Sequence, residues 1–388
     1  MKHVLFYITY YPGYGGIEKV TTFLANHLCK HNLKVTILSF QNNARELQQQ
    51  LAEDVQLLFM PDAQNFLSDA NQEFLDGLSE KYAFDFIVYQ DCYSDIHELL
   101  FHAKTDMRDG LIVCEHNSPT CQLIAYRNYW KRLSWLKPHD FFRKLYYPIK
   151  RRSIYNAISR RHKLLLENSR TYVVLSESLK KEIHYLVGHC YDHKLWAISN
   201  PITIRPSASF AENGKTKQVL FVGRLVEDKG IPYLLDVWTA FENQAKDWHL
   251  VIVGDGPMRS VIERTIRERH LQRVQLEGAR ANVEDYYKDS SLLLMTSVFE
   301  GFPLVLFEAM SMGVVPIAFN SFAALQDIID DAENGYRISP YDLHAYVDAL
   351  VCLTSDEALL GKMRKSALAK SQKFNIETIG KRWIELIQ

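Results

Sequence analysis

Short apolar runs alternate with amphipathic stretches along the whole chain, and this alternation sets the expected fold. The pattern predicts strands over Val4 to Thr9, Lys34 to Phe40, Val55 to Met60, Phe84 to Tyr89, Leu111 to Cys114 and Tyr172 to Leu175, with helices in the gaps. Strands apolar on both faces and joined by helices imply a parallel sheet covered on both sides, because each return to the same end of the sheet needs a crossover. Residues 1–199 are therefore expected to form one doubly wound α/β domain. At Ser199-Asn200-Pro201 the periodicity stops, and 200–217 is polar and turn-rich, which predicts a linker. Alternation resumes at Gln218 to Val222, His249 to Val253, Val274 to Glu277, Leu292 to Met295 and Val314 to Ala318, predicting a second doubly wound domain over 218–375. In such sheets ligands bind beyond the carboxyl ends of the strands, so two domains facing each other are expected to enclose a cleft.

Composition narrows the class without naming the chemistry. The chain has 388 residues, 47% hydrophobic and 23% charged, with a formal net charge of −1, so bulk charge gives no argument for nucleic acid. Six cysteines are scattered without a CxxC pair, which predicts neither a disulfide framework nor a zinc site. The opening MKHVLFYITYYPGYGG reads as a first strand and not a signal peptide, and no apolar run approaches the ~18 residues of a membrane span. A cytoplasmic protein is expected.

Candidate chemistry sits in the loops after predicted strands. EGFPLVLFEAM places Glu300 and Glu308 eight positions apart across a loop that turns into a helix. Gly301 permits close backbone approach, Pro303 suits a first helical position, and the amides of Leu304 and Val305 at a helix N-terminus suit a diphosphate oxygen. Glu300 is then placed to accept hydrogen bonds from a sugar ring and Glu308 to reach a ribose. VGRLVEDKG puts Arg224 and Lys229 on a strand-to-helix loop, where a guanidinium fork and an ammonium suit a departing diphosphate. GYGGIEK, with Gly15 and Gly16 opening a helix, suits a phosphate or a plain turn, and its spacing is not the dinucleotide fingerprint GxGxxG. VGDGP, 253–257, reads first as a turn capped by Asp255. His116 in CEHNSP follows the strand Leu111 to Cys114, a position from which it could hydrogen-bond a sugar or guide an acceptor hydroxyl.

Together GGIE at 15–18, VGRL at 222–225, KG at 229–230, GDGP at 254–257, EGFPLVLFEAM at 300–310 and NG at 334–335 resemble glycosyltransferase family 4, retaining enzymes of the GT-B arrangement. The match keeps the motif order nearly end to end and is sharper in the second half. The resemblance implies two facing Rossmann-like domains, the first for the acceptor and the second for a nucleotide-sugar donor. By the same resemblance Glu300, Arg224, Lys229 and His116 would be catalytic. Gly15, Gly16, Arg224, Lys229, Gly301, Phe302, Leu304, Val305 and Glu308 would hold the donor. It implies no obligatory metal and no cofactor beyond the nucleotide sugar, and no DxD-type acidic pair argues otherwise. The helix over 376–388, with Ile376, Ile379, Trp383 and Ile387 at helical spacing, would pack back on the first domain. NSFAALQDII, 320–329, departs from relatives that have glycines there.

Residues 126–163 carry twelve cations against Asp140 alone, a net of +11, interleaved with Tyr126, Tyr129, Trp130, Trp135, Phe141, Phe142, Tyr146 and Tyr147. Cations among interfacial aromatics suit an anionic membrane surface. Packing of the aromatics in the core and stacking on nucleic acid are the alternatives, with nucleic acid the least expected partner. The combined expectation is a cytoplasmic transferase, peripheral on the membrane, moving a hexosyl or N-acetylhexosaminyl group from a UDP-sugar to a lipid-linked saccharide in bacterial surface-polysaccharide assembly. A sugar-nucleotide 2-epimerase of the same architecture and a non-catalytic subunit are the rivals.

Overall fold

The computed structural model describes residues 1–134, 137–204, 215–280 and 282–388. The chain forms two compact units, residues 1–201 with 376–388 and residues 202–375. Most of the expected linker (205–214) and Trp135 of the aromatic stretch lie outside the described residues.

The first unit is built on β1 (His3–Tyr10), β2 (Lys34–Gln41), β3 (Val55–Phe59), β4 (Phe86–Tyr89), β5 (Leu111–Glu115), β6 (Thr171–Val174) and β7 (Leu195–Ala197). They form one parallel sheet in the order β3-β2-β1-β4-β5-β6-β7. Seven of the eight residues of β1 are buried, as a central strand covered by helices on both faces requires. The helix Gly16–Lys30 buries Val20, Leu24 and Leu28 on its inner face. Against it lies the terminal helix Ile376–Ile387, which buries Ile379, Trp383 and Ile387 and brings Gly380 so close that a Cβ there would sit 2.2 Å from the His27 ring.

The second unit repeats the plan with β8 (Gln218–Val222), β9 (His249–Val253), β10 (Val274–Gly278), β11 (Leu292–Met295), β12 (Val315–Phe319) and β13 (Tyr336–Ile338). Its sheet is again parallel, in the order β10-β9-β8-β11-β12-β13. Val219, Phe221, Trp238, Phe241, Leu294 and Ile317 lie in one core, into which Tyr346 also packs. In both sheets the chain reverses its direction of growth beside the first strand, between β1 and β4 and between β8 and β11. That reversal splays the flanking loops apart at the carboxyl ends and leaves a crevice there.

Two strands have no counterpart in the sequence pattern. β7 and β13 are three residues each, and each pairs on one side only, at a sheet edge. Three residues are too few to show a period.

Candidate active site

The site in the second unit grows from the loops at the carboxyl ends of β8, β9, β11 and β12. Backbone bonds lace these loops together. Gly223 N donates to Val253 O at 3.0 Å, Leu225 N to Asp255 O at 2.9 Å and Val298 N to Asp228 O at 2.8 Å. Ser321 Oγ on the loop after β12 donates to Ser297 O at 2.6 Å. Gly230 is, with Gly254, one of the two tightest points of this lacing. It adopts φ 66°, and a Cβ there would meet the Thr296 carbonyl oxygen at 1.9 Å, so only glycine fits.

The lacing brings Lys229 and Glu300 together from loops 71 residues apart. Lys229 Nζ donates to Glu300 Oε1 at 2.5 Å, and Ser297 Oγ donates to the same oxygen at 2.7 Å. Thr296 Oγ1 donates to Lys229 O at 3.1 Å, holding the base of that side chain. The pair is half-buried, with Lys229 and Glu300 side chains 23% and 13% exposed, so both remain within reach of a ligand. Arg224 points its exposed guanidinium into no hydrogen bond or ion pair among the described residues. The two cations therefore differ: Lys229 is tied to Glu300, and Arg224 is uncommitted.

Next to this pair begins the helix Leu304–Ser311. Pro303 is its N-cap, at φ −73° and ψ 110°, and not its first helical residue as its sequence context predicts, because ψ there is still extended. The amides of Leu304 and Val305 open the helix and have no intrahelical acceptor, while Gly301 is buried beside them. Phe302 is 6% exposed, and its ring stacks on Phe307 at 4.6 Å, which anchors the loop from below.

Glu308 lies one face further along and is 6% exposed. Its Oε1 accepts from Thr203 Oγ1 at 2.7 Å and its Oε2 from Tyr287 OH at 3.0 Å. Burial, with the Glu308 charge beside it, pushes the Tyr287 phenol well above its ordinary range, so it stays a donor. Each carboxylate oxygen keeps a second lone pair for a ligand hydroxyl. Asp255 does not cap the following helix, whose N-cap is Met258. Its Oδ1 accepts from Gly256 N at 2.7 Å, because the Gly-rich turn puts that amide nearer.

In the first unit Gly15 is the N-cap of the helix Gly16–Lys30, and both glycines are exposed. Glu18, at the third helical position, folds its carboxylate back toward Gly13 and Gly15: a Cβ on Gly15 would lie 2.2 Å from Glu18 Oε2. Burial raises the Glu18 carboxyl above its usual range. The Glu18 carboxyl thus occupies space at this helix N-terminus that a phosphate would have to take.

His116 follows β5, where its Nε2 meets Gln90 Oε1, and Gln90 Nε2 donates on to Thr21 Oγ1 at 3.2 Å. With the amide so oriented, Nε2 carries the proton. Nδ1 is buried with no partner among the described residues. Burial pulls the imidazole down to about 4, so it is neutral near pH 7 with an open acceptor nitrogen.

Ser297, Thr296, Tyr287, Thr203 and Gln90 escape the sequence reading. Thr296 and Ser297 directly follow β11, a position that strand-end reasoning could have flagged. Tyr287 and Thr203 have no local signal, since only the fold carries them to Glu308.

The basic stretch spans the helices Cys121–Arg132, Pro138–Leu145 and Tyr147–Glu167. Its aromatics divide. Tyr126 stacks on Tyr147 at 5.2 Å, and Trp130 lies 4.8 Å from the same ring. Phe142, Leu145, Tyr146 and Ile149, at helical spacing, are 70%, 57%, 55% and 61% exposed. Among the described residues no helix is long and apolar enough to cross a membrane.

Residues 205–370 match the family model described as Glycosyl transferases group 1. The chain is 30% identical over 188 residues to an uncharacterized glycosyltransferase of Haemophilus influenzae, which covers 48% of this chain and 53% of that relative. It is 25% identical over 382 residues to a Campylobacter jejuni protein, covering 96% of this chain and 95% of the relative. That relative is named as the alpha-1,4-N-acetyl-D-galactosaminyltransferase of GalNAc-alpha-(1->4)-GalNAc-alpha-(1->3)-diNAcBac-PP-undecaprenol. The structure of Anabaena Alr3699/HepE in complex with UDP and glucose covers 100% of this chain and 99% of its own at TM-score 0.75 and 17% identity, a likeness of fold. The chain thus spans about half the length of the Haemophilus relative and nearly all of the Campylobacter one. With this match over the second unit and two parallel sheets that share their strand order over six strands, the second unit is a group 1 glycosyltransferase domain, and the chain has two Rossmann-like domains of the GT-B architecture.

Proposed function

We propose that this chain is a retaining glycosyltransferase that moves a hexosyl or N-acetylhexosaminyl group from a UDP-sugar to a lipid-linked saccharide in bacterial surface-polysaccharide assembly. The observation that carries the reading is the Lys229–Glu300 pair, steadied by Ser297 at the reversal point of the second sheet and flanked by Arg224 and a helix N-terminus. On this proposal the diphosphate of the donor lies against the Leu304 and Val305 amides. Arg224 and Lys229 hold the negative charge that grows on its bridging oxygen as the sugar bond breaks. Glu300, released from Lys229 as that ammonium turns to phosphate, accepts from the sugar hydroxyls and orients the ring. Glu308 accepts from the ribose. The acceptor hydroxyl attacks from the face the nucleotide leaves, which retains configuration. In the first unit His116 offers Nδ1 to a saccharide hydroxyl.

A lipid-linked acceptor is supported by the name of the Campylobacter relative and by the exposed row Phe142, Leu145, Tyr146 and Ile149 among cations, which suits the surface of an anionic bilayer on the cytoplasmic side. The proposed reaction needs no metal. The test is to incubate the purified protein with a panel of nucleotide sugars, with and without a membrane lipid extract and with EDTA present, and to follow products by mass spectrometry. Release of one nucleotide together with a lipid-extractable glycoside supports the reading. Conversion of donor without nucleotide release, or failure of every donor, counts against it.

A further inference from the structure

A second place on the first unit combines aromatic walls with two adjacent arginines. A groove of about 660 Å³ is lined by Tyr147, Pro148, Arg151, Arg152, Tyr155 and Tyr185. Tyr155 and Tyr185 meet edge to face at 5.4 Å, and Tyr155 OH donates to Tyr185 O at 3.0 Å, so this wall is held in shape. Arg151 Nη2 donates to Tyr185 OH at 3.1 Å, which spreads its guanidinium along the groove. Arg152 has no hydrogen bond or ion pair among the described residues. The groove has the volume of a small-molecule site. It starts at the first turn of the helix Tyr147–Glu167, directly after the exposed row of Phe142, Leu145 and Tyr146.

We infer that this groove is a diphosphate subsite for the membrane-borne acceptor, an inference that rests on the acceptor being lipid-linked. Two adjacent guanidinium forks match two adjacent phosphates, each fork taking a pair of oxygens. Tyrosine faces suit the apolar face of a first sugar, and the neighbouring apolar row lies where the lipid tail departs. A bulk anionic headgroup presents one phosphate with no sugar behind it, so it uses half of these contacts. The groove selects the diphosphate amphiphile, and the remaining cations of 126–163 serve the bilayer in general.

The test is co-sedimentation of the full chain with phosphatidylcholine vesicles carrying a little polyprenyl diphosphate, compared with vesicles carrying the same charge as phosphatidylglycerol. Wild type is expected to prefer the diphosphate vesicles by about tenfold or more, with inorganic pyrophosphate competing. Arg151→Gln with Arg152→Gln should abolish the preference, while Arg127→Gln with Lys131→Gln, which removes two cations outside the groove, should keep it. Equal binding of wild type to both vesicles overturns the inference, as does an undiminished preference in the groove variant or an equal loss in both variants. Nucleotide release from donor alone is measured in parallel. If every donor fails there while the vesicle preference stands, the fault lies with the transferase reading and not with the groove.

Discussion

Lys229 Nζ lies 2.5 Å from Glu300 Oε1, so the cation expected for a diphosphate and the carboxylate expected for a sugar hold each other across two loops. An ion pair of this kind keeps both side chains in position and gives each a partner to exchange when substrate arrives. Calorimetric titration should show UDP binding at least about tenfold more tightly than uridine, a gap that narrows in Lys229→Ala. An unchanged gap in the variant would place the diphosphate elsewhere.

The close passage at Gly230 predicts a second result. In Gly230→Ala the new methyl meets the Thr296 carbonyl, and φ 66° is unfavourable to alanine, so the loops after β8 and β11 must part. Urea denaturation should show a loss of about 2 kcal/mol or more, with UDP affinity falling alongside. Unaltered stability would mean the backbone there is free to move.

Glu308 is a test of burial and not only of ligand contact. Tyr287→Phe removes the donor to Oε2 of a carboxylate that is 6% exposed, and should cost about 1–3 kcal/mol in unfolding free energy. Thr203→Val should act in the same direction through Oε1. If neither variant is destabilised, Glu308 is better solvated than its surroundings imply.

These two glutamates also show what the sequence carried and what it could not. Their spacing and the Gly-Pro turn between them locate the loop, because local chemistry fixes a turn and a helix start. Which group pairs with each glutamate depends on long-range packing. Lys229 reaches Glu300 through the adjacency of β8 and β11, and Thr203 and Tyr287 reach Glu308 from sites 105 and 21 residues away. The long buried strands were legible from apolar runs, whereas β7 and β13 were not, being three-residue edge strands with no period to read. The order of both sheets has no signature in single-sequence periodicity at all.

A buried cluster in the first unit predicts a pH dependence of stability. Burial pushes Glu115 up to about 8, and the neighbouring His162 is pulled down to about 4, also by burial. The Glu115 contribution is present below the ordinary carboxylate range and is lost as pH rises through about 8, since the unfolded chain gives up that proton earlier. The His162 contribution is present above the ordinary imidazole range and is lost as pH falls through about 4. Glu115→Gln should therefore gain stability over wild type as pH rises from about 5 to about 9, read as melting temperature. A constant difference across that range would show that Glu115 does not titrate in the fold.

The exposed row on 142–149 yields a prediction independent of catalysis. Phe142→Ser with Ile149→Ser should lower partitioning onto anionic vesicles by about tenfold or more without changing nucleotide release from donor alone. Undiminished partitioning would leave the bilayer contact to the cations.

Glu300 is central to the proposed mechanism, and the most direct measurement is the transfer rate of wild type and Glu300→Ala side by side, with the donor that wild type turns over and a circular-dichroism check of folding. A fall of about 100-fold or more in the folded variant is the predicted result. A folded Glu300→Ala working at the wild-type rate would contradict the site assignment and, with it, the mechanism.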